Sequence, residues 1–248
     1  MTSIDAFIET IDTDLAWRKK ETSNLLLLGS DQNQLLIVKA SLLLLYSHWE
    51  GYIKNASKAY LEYISTKRIN LEQLTDNFKA IKLKGLIKQA HLSSNTLTLE
   101  NELNLIKQIG TNENKVFSVS REFSTSERDK SIINTKDNLS LNVFKSILRV
   151  VGIDYSDCID TKSVFIDEKL LGGRNKVAHG NRIEDINENF DLTLNELKKI
   201  KEVIFYLMDT YAEDLKYFAE NELYFNDKSD IVSEYLMEKT TEIRNNLP

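Results

Sequence analysis

The sequence is poor in residues that interrupt or crosslink a chain. Its 248 residues include one proline, which is the last residue, and only eight glycines. Because all-β folds need many more turn residues than this, the composition favours long helices. The single cysteine, Cys158, excludes an intrachain disulfide framework and a cysteine-rich zinc site, and it is typical of a reducing compartment.

Long hydrophobic runs and targeting signals are also missing. The longest apolar run, Leu42 to Tyr46, is far too short to span a bilayer, and residues 1–20 are acidic and amphipathic, unlike a secretory signal. We therefore expect a cytoplasmic protein that does not associate with membranes. The three histidines are scattered without metal-ligand spacing, and no glycine-rich phosphate loop is present, so we expect no metal and no cofactor.

The charge balance is acidic. The formal net charge is −6, with 42% apolar and 28% charged residues. Such a balance argues against a protein that coats nucleic acid generally, because phosphate binding needs local positive charge. It leaves room for a small basic cleft on an acidic body.

Apolar residues recur at helical spacing over most of the chain, so we predict an all-α fold in a single domain over residues 1–248. Ser140 is expected to cap one helix, which Gly152 ends. Residues 91–137 are polar with weak periodicity, and we interpret them as an insertion or long loop with a short extended piece at 115–123. Residues 226–248 are expected to form a C-terminal tail helix. The predicted helices cover residues 3–20, 35–66, 71–90, 140–151, 163–179, 192–222 and 229–245.

The most informative stretch is RNKVAHG at residues 174–180. Asn175 and His179 are four residues apart and share a helix face, whereas Arg174 and His179 are five apart and point about 140° from each other. A single phosphate meets all three side chains if two copies of this helix face each other across a twofold axis. We therefore expect a homodimer with a shared cleft.

These residue types are sufficient to cleave RNA without a metal. RNA carries its own nucleophile, the 2′-hydroxyl, and an imidazole with an ordinary pKa near about 6.5 can transfer protons to and from it. A guanidinium stays charged and matches phosphate oxygens. We assign His179 as the acid–base residue, Arg174 as the phosphate anchor and Asn175 as the positioning group, with a 2′,3′-cyclic phosphate as product.

The motif and two upstream stretches resemble the HEPN superfamily, in particular a standalone prokaryotic group of HEPN-like nucleases. They are WRKKE at residues 17–21, LLLYSHWEGYIK at 43–54 and the R-x4-H pattern at 174–179. The resemblance implies a helical bundle, a dimer, metal-independent RNA cleavage by Arg174 and His179, and a toxin or phage-defence role with a possible antitoxin or defence partner protein. Asn181 occupies the position of a tyrosine that receives adenylate in some HEPN toxins, so we do not expect that regulation.

Several neighbouring residues have both a functional and a structural interpretation. Lys176 and Arg182 are candidate RNA contacts, and Glu50 is a candidate support for Arg174 or His179. Against these, His179 is also typical of a helix C-terminus, and Arg174 of a surface ion pair with Asp167 or Glu168. A HEPN-like module that binds RNA or protein without cutting is the alternative function.

A few other polar and aromatic residues are expected to be structural. His48 is interpreted as a buried histidine with its polar atoms satisfied, and Cys158 as inert. The lysines of the third helix form either a solvated face or a guide for RNA. They are Lys79, Lys82, Lys84 and Lys88.

Overall fold

A computed structural model describes residues 3–30, 33–92, 99–112, 114–119, 132–135, 138–178 and 192–248. Within these residues the chain forms eight α-helices and no strand, which confirms the predicted all-α class. The helices are α1 (Ile4–Leu27), α2 (Gln34–Thr66), α3 (Asp76–Leu92), α4 (Glu100–Asn112), α5 (Leu141–Val151), α6 (Gly173–Ala178), α7 (Leu194–Glu220) and α8 (Ser229–Asn246). None of these helices is both long enough and apolar enough to cross a bilayer.

Helix α2 is the centre of the packing. It contacts α1, α5, α6 and α7, and its wide apolar stripe explains this position, because a helix that is apolar on several sides must be covered on several sides. Trp49, Tyr52 and Tyr60 are fully buried, as expected for core residues. Burial of each such side chain stabilises the fold by roughly 1.5–3 kcal/mol.

Local signals in the sequence fix several helix ends. The Ser140 hydroxyl accepts the Val143 N–H at 3.3 Å, as an N-cap residue does. Gly152 ends α5 with φ at +88°, a conformation that favours glycine. Thr193 and Glu196 form a reciprocal capping box at the start of α7.

The structure describes two parts of the polar segment 91–137 in more detail. Helix α4 lies inside the segment interpreted as a loop or insertion. Three of its apolar residues are exposed, namely Leu103, Ile106 and Ile109, whereas Leu105 is half-buried. Within the predicted extended piece, Val116 forms one isolated bridge with Asn70.

The helix predicted over 163–179 is divided into two parts. Residues Val164–Gly172 form a π-helix, and α6 begins at Gly173. The paired glycines at 172 and 173 stand at the change, where their low helix propensity makes a wider turn inexpensive. The π-helix buries Ile166 and Leu170 and leads directly into the motif.

Candidate functional site

Arg174 is positioned by the packing of the short helix α6 against α2. Gly173, the residue before it, is buried at this contact. The arginine side chain remains partly exposed, at 23% of its surface. A buried start of the helix therefore fixes the backbone while the guanidinium stays accessible.

Among the residues that the structure describes, three side chains lie against the Arg174 guanidinium. Its Nη1 donates to Asn175 Oδ1 at 2.8 Å, and its Nη2 lies 4.0 Å from Glu50 Oε2. Its Cζ atom lies 4.2 Å from the centre of the Tyr46 ring, a cation–π contact. The guanidinium is thus oriented on one side by an amide and a carboxylate and on its face by an aromatic ring.

Glu50 is itself anchored by a residue from a distant part of the chain. The Thr135 hydroxyl donates to Glu50 Oε1 at 2.5 Å, and Thr135 is buried. One carboxylate oxygen therefore binds Thr135, and the other faces Arg174. The segment between α4 and α5 contributes to the site through this contact.

Tyr46 is equally well fixed. Its hydroxyl accepts the backbone N–H of Leu139 at 2.7 Å. Burial raises the pKa of the Tyr46 phenol to about 12, and the nearby Glu50 carboxylate also raises it. The ring beneath Arg174 is therefore uncharged at physiological pH.

These side chains border a surface pocket of about 360 Å³ along the outer side of α2. The volume is in the range of small-ligand sites and is sufficient for a phosphate with an attached sugar. The lining combines two cations with one carboxylate and a small polar floor. It consists of Leu43, Tyr46, Ser47, Glu50, Gly51, Lys54 and Arg174.

The predicted motif residues are only partly within the described structure. Arg174, Asn175 and Glu50 come together as given above. Lys176 is exposed on α6 and does not line the pocket. His179 and Arg182 lie outside the described residues, so the predicted pairing of Arg174 with His179 stays a prediction; His179 follows directly after Ala178, the last residue of α6.

A second polar cluster lies on the opposite side of α2, where α1 packs. Arg18 Nε donates to Asp14 Oδ1 at 3.0 Å, and Arg18 Nη1 lies 3.4 Å from His48 Nδ1. Because a guanidinium can only donate, Nδ1 must accept and the ring proton is on Nε2, which lies 2.8 Å from Glu21 Oε2. Burial and then the Arg18 charge lower the pKa of His48, so the ring is neutral at physiological pH.

This cluster unites the two upstream stretches that were noted in the sequence. Residues 17–21 supply Trp17, Arg18 and Glu21, and residues 43–54 supply His48 and Gly51. An added Cβ on Gly51 would lie 2.7 Å from Arg18 Nη1, so only glycine leaves room for the guanidinium in this position. His48 is buried, as its structural interpretation predicted, with Nδ1 near Arg18 and Nε2 near Glu21.

The remaining candidates lie elsewhere. Helix α3 packs on α4 and α5, and none of its lysines lines the Arg174 pocket. Lys79 pairs with Asp76, and Lys82 donates to Ser118. Over the described ranges, no group of three or more histidine, cysteine or acidic residues has a geometry that could hold a metal ion.

Two residues of the site were not identified from the sequence. Tyr46 is four residues before Glu50, so helical spacing places it on the same side of α2, and this signal was available. Thr135 gave no signal, since it lies 85 residues from Glu50 in a polar segment without periodicity.

Comparison with known proteins agrees with the fold. No significant match was found among curated proteins or among solved structures. A family model described as HEPN_MAE_28990-like HEPN matches residues 7–224, which includes α1, α2, the π-helix and α6. Because this match covers most of the chain, the protein belongs to the HEPN_MAE_28990-like HEPN family.

Proposed function

We propose that this HEPN protein is a metal-independent endoribonuclease that acts as a homodimer, in a toxin or phage-defence role. The observation that supports it best is the Arg174 guanidinium, which is oriented by three partners and borders an open pocket. A surface arginine that only forms an ion pair does not require contacts with an aromatic ring, an amide and an anchored carboxylate. Orientation of this kind is what stabilisation of a developing phosphorane charge requires.

The proposed reaction is an internal transesterification. The 2′-oxygen of RNA attacks the adjacent phosphorus while the His179 imidazole accepts its proton. Arg174 stabilises the additional negative charge on the phosphate oxygens. The bond to the 5′-oxygen breaks, an imidazolium returns a proton to that oxygen, and the products are a 2′,3′-cyclic phosphate and a 5′-hydroxyl.

Two features support the proposed dimer: the spacing of Arg174, Asn175 and His179 in the sequence, and the surface beside the pocket. Leu43 lines the pocket. Leu36 lies two turns before Leu43 on the same side of α2 and is 61% exposed. We propose that these exposed leucines are covered by a second copy of the chain. A second copy placed on them would bring its own motif helix to the same pocket.

The decisive experiment is RNA cleavage by purified wild-type protein in the presence of a chelator. We expect cleavage that yields 2′,3′-cyclic phosphate ends, identified by mass spectrometry. Arg174→Ala and His179→Ala are each expected to lower the rate by at least about 100-fold. The matched control is Arg149→Ala, which should keep the wild-type rate. Arg149 is an exposed residue of α5 that pairs with Asp154.

The outcomes separate the proposal from its alternative. Intact RNA after incubation with wild-type protein, with and without divalent ions, would refute the nuclease. RNA that is bound but not cut would support a HEPN module that binds RNA without catalysis. Equal cleavage by wild type and by both motif variants would point to a contaminating nuclease.

A further inference from the structure

Trp17 is an unusual residue for the surface of a helix. Its side chain is 45% exposed, whereas the only other tryptophan, Trp49, is fully buried. An indole that is 45% exposed contributes only in part to the core, so core packing does not explain why a tryptophan occupies this position. The contacts of the indole with Asp14, Arg18 and His48 indicate a different role.

The indole is held rigidly although it is exposed. Its Nε1 donates to Asp14 Oδ1 at 2.9 Å, and the Arg18 guanidinium lies 4.6 Å from the ring centre. The His48 ring meets it edge-on at 5.0 Å. A ring fixed in this way loses little conformational freedom when a second flat group stacks on it.

The charge around Trp17 suits a nucleic acid strand. Lys20 is exposed one helical turn further along α1, on the same face as Trp17. Arg18 lies under the ring, and Lys54 and Arg174 line the pocket on the other side of α2. Lys20, Lys54 and Arg174 therefore flank the path between the indole and the pocket, whereas Arg18 is buried and paired with Asp14; Glu21 and Glu50 are the carboxylates of this region.

Gly51 lies between the indole and the pocket. Gly51 lines the Arg174 pocket. Because it has no side chain, the Arg18 guanidinium can lie directly against α2 at this residue. Glu50, beside Arg174, and His48, beside Trp17, are about 160° apart around α2 and roughly 3 Å apart along it. A strand crossing the outer side of α2 would contact the pocket at one edge and the indole at the other.

We propose that Trp17 is a base-stacking subsite for single-stranded RNA, next to the Arg174 pocket. The inference rests on the proposed function, because it assigns the same strand to both places. An unpaired base stacks on the exposed face of the indole, and its neighbouring phosphate groups lie toward Lys54 and Arg174. The substrate class is RNA with unpaired bases, since a base inside a duplex has no free face to offer.

The test uses the intrinsic fluorescence of the full-length protein. In the His179→Ala variant, which prevents cleavage, a short unstructured oligouridine is expected to quench the emission of Trp17. Trp49 supplies a constant background because it is buried. Trp17→Phe should remove the quenching, and a fully paired duplex of the same length should produce none.

Affinity is measured in parallel by the anisotropy of a labelled oligouridine. Trp17→Ala is expected to weaken binding about 5- to 100-fold, the effect of one lost stacking contact. Trp17→Phe keeps a ring and should stay within a few-fold of the parent, which also guards against a folding defect in the alanine variant. Tyr217→Ala, which removes a partly exposed ring on α7 that stacks on Tyr235, is the matched control and should not change binding.

The outcomes distinguish this subsite from the proposed nuclease. Cleavage by wild type without any Trp17 quenching would overturn the subsite and leave the nuclease standing. Quenching without cleavage would support the subsite and refute the nuclease. A blue-shifted Trp17 emission that depends only on protein concentration, or only on anionic lipid vesicles, would overturn the subsite by assigning the indole to a second copy or to a membrane.

Discussion

Tyr46 supports Arg174 and the backbone of Leu139 with two different parts of its side chain. The ring lies 4.2 Å below the guanidinium, and the hydroxyl accepts the Leu139 N–H at 2.7 Å. One tyrosine thus connects the site to the entry of α5. The two roles can be separated by substitution.

Tyr46→Phe removes the hydroxyl and keeps the ring. The Leu139 N–H is left buried without its acceptor, so the free energy of unfolding should fall by about 1–3 kcal/mol, measured by urea denaturation. RNA cleavage should stay near the wild-type rate. Tyr46→Leu removes the ring as well and should lower cleavage at least about tenfold; equal activity of the two variants would contradict a role for the ring.

Glu50 should act as a positioning residue that also competes with RNA for Arg174. Glu50→Gln keeps an acceptor for Thr135 but removes the charge that faces the guanidinium. We expect KM to decrease, because phosphate no longer competes with a carboxylate, and kcat to decrease up to about tenfold as Arg174 loses its fixed orientation. Thr135→Val, which frees Glu50 without neutralising it, is the companion variant and should lower kcat alone.

Gly51 and Gly85 provide a matched pair of helix glycines. A Cβ at Gly85 would meet nothing within 4 Å, so Gly85→Ala should raise the free energy of unfolding by about 0.5–1 kcal/mol. Gly51→Ala should not show this gain, because the added methyl displaces the buried Arg18 guanidinium. The pKa of His48 should then rise toward its ordinary value, a shift that NMR titration of the ring detects.

Asp214 should make stability depend on pH. Burial raises its pKa from 3.8 to about 6, although the Tyr235 hydroxyl donates to it at 2.6 Å. As pH rises from 4 to 7, the unfolded chain ionises this carboxyl first, so the wild type loses up to about 3 kcal/mol of stability. Asp214→Asn lacks this loss and should gain stability relative to wild type at pH 7 but not at pH 4; a constant difference between the two proteins across this range would contradict the raised pKa.

The proposed dimer should depend on the exposed leucines beside the pocket. Leu36→Lys is expected to shift the protein from dimer to monomer in sedimentation velocity and to lower RNA cleavage with it. Ile231→Lys on α8, which replaces an apolar residue 50% exposed, is the control and should remain dimeric. A wild-type protein that is monomeric at all concentrations would refute the dimer.

Much of the fold could be predicted from local patterns. The periodic stripe of α2, the Ser140 cap, the Gly152 stop and the capping box at Thr193 are all interactions between residues close in sequence. The family resemblance also depended on short stretches, and the match over residues 7–224 confirms it. Helix α4 was missed because the segment around it is rich in polar residues, although Leu103, Ile106 and Ile109 recur at helical spacing.

The sequence by itself determined most of the helices, the core residues of α2 and the motif that carries Arg174, because helical spacing and capping act over one or two turns. Only the tertiary structure decided that Tyr46 and Glu50 lie beside Arg174, that Thr135 binds Glu50, and that residues 17–21 meet His48 on the other side of α2. Those contacts join residues that are far apart in the sequence, such as Arg18 and His48, 30 residues apart, and Glu50 and Thr135, 85 residues apart. Their geometry depends on how whole helices pack, which the local pattern of neither segment encodes.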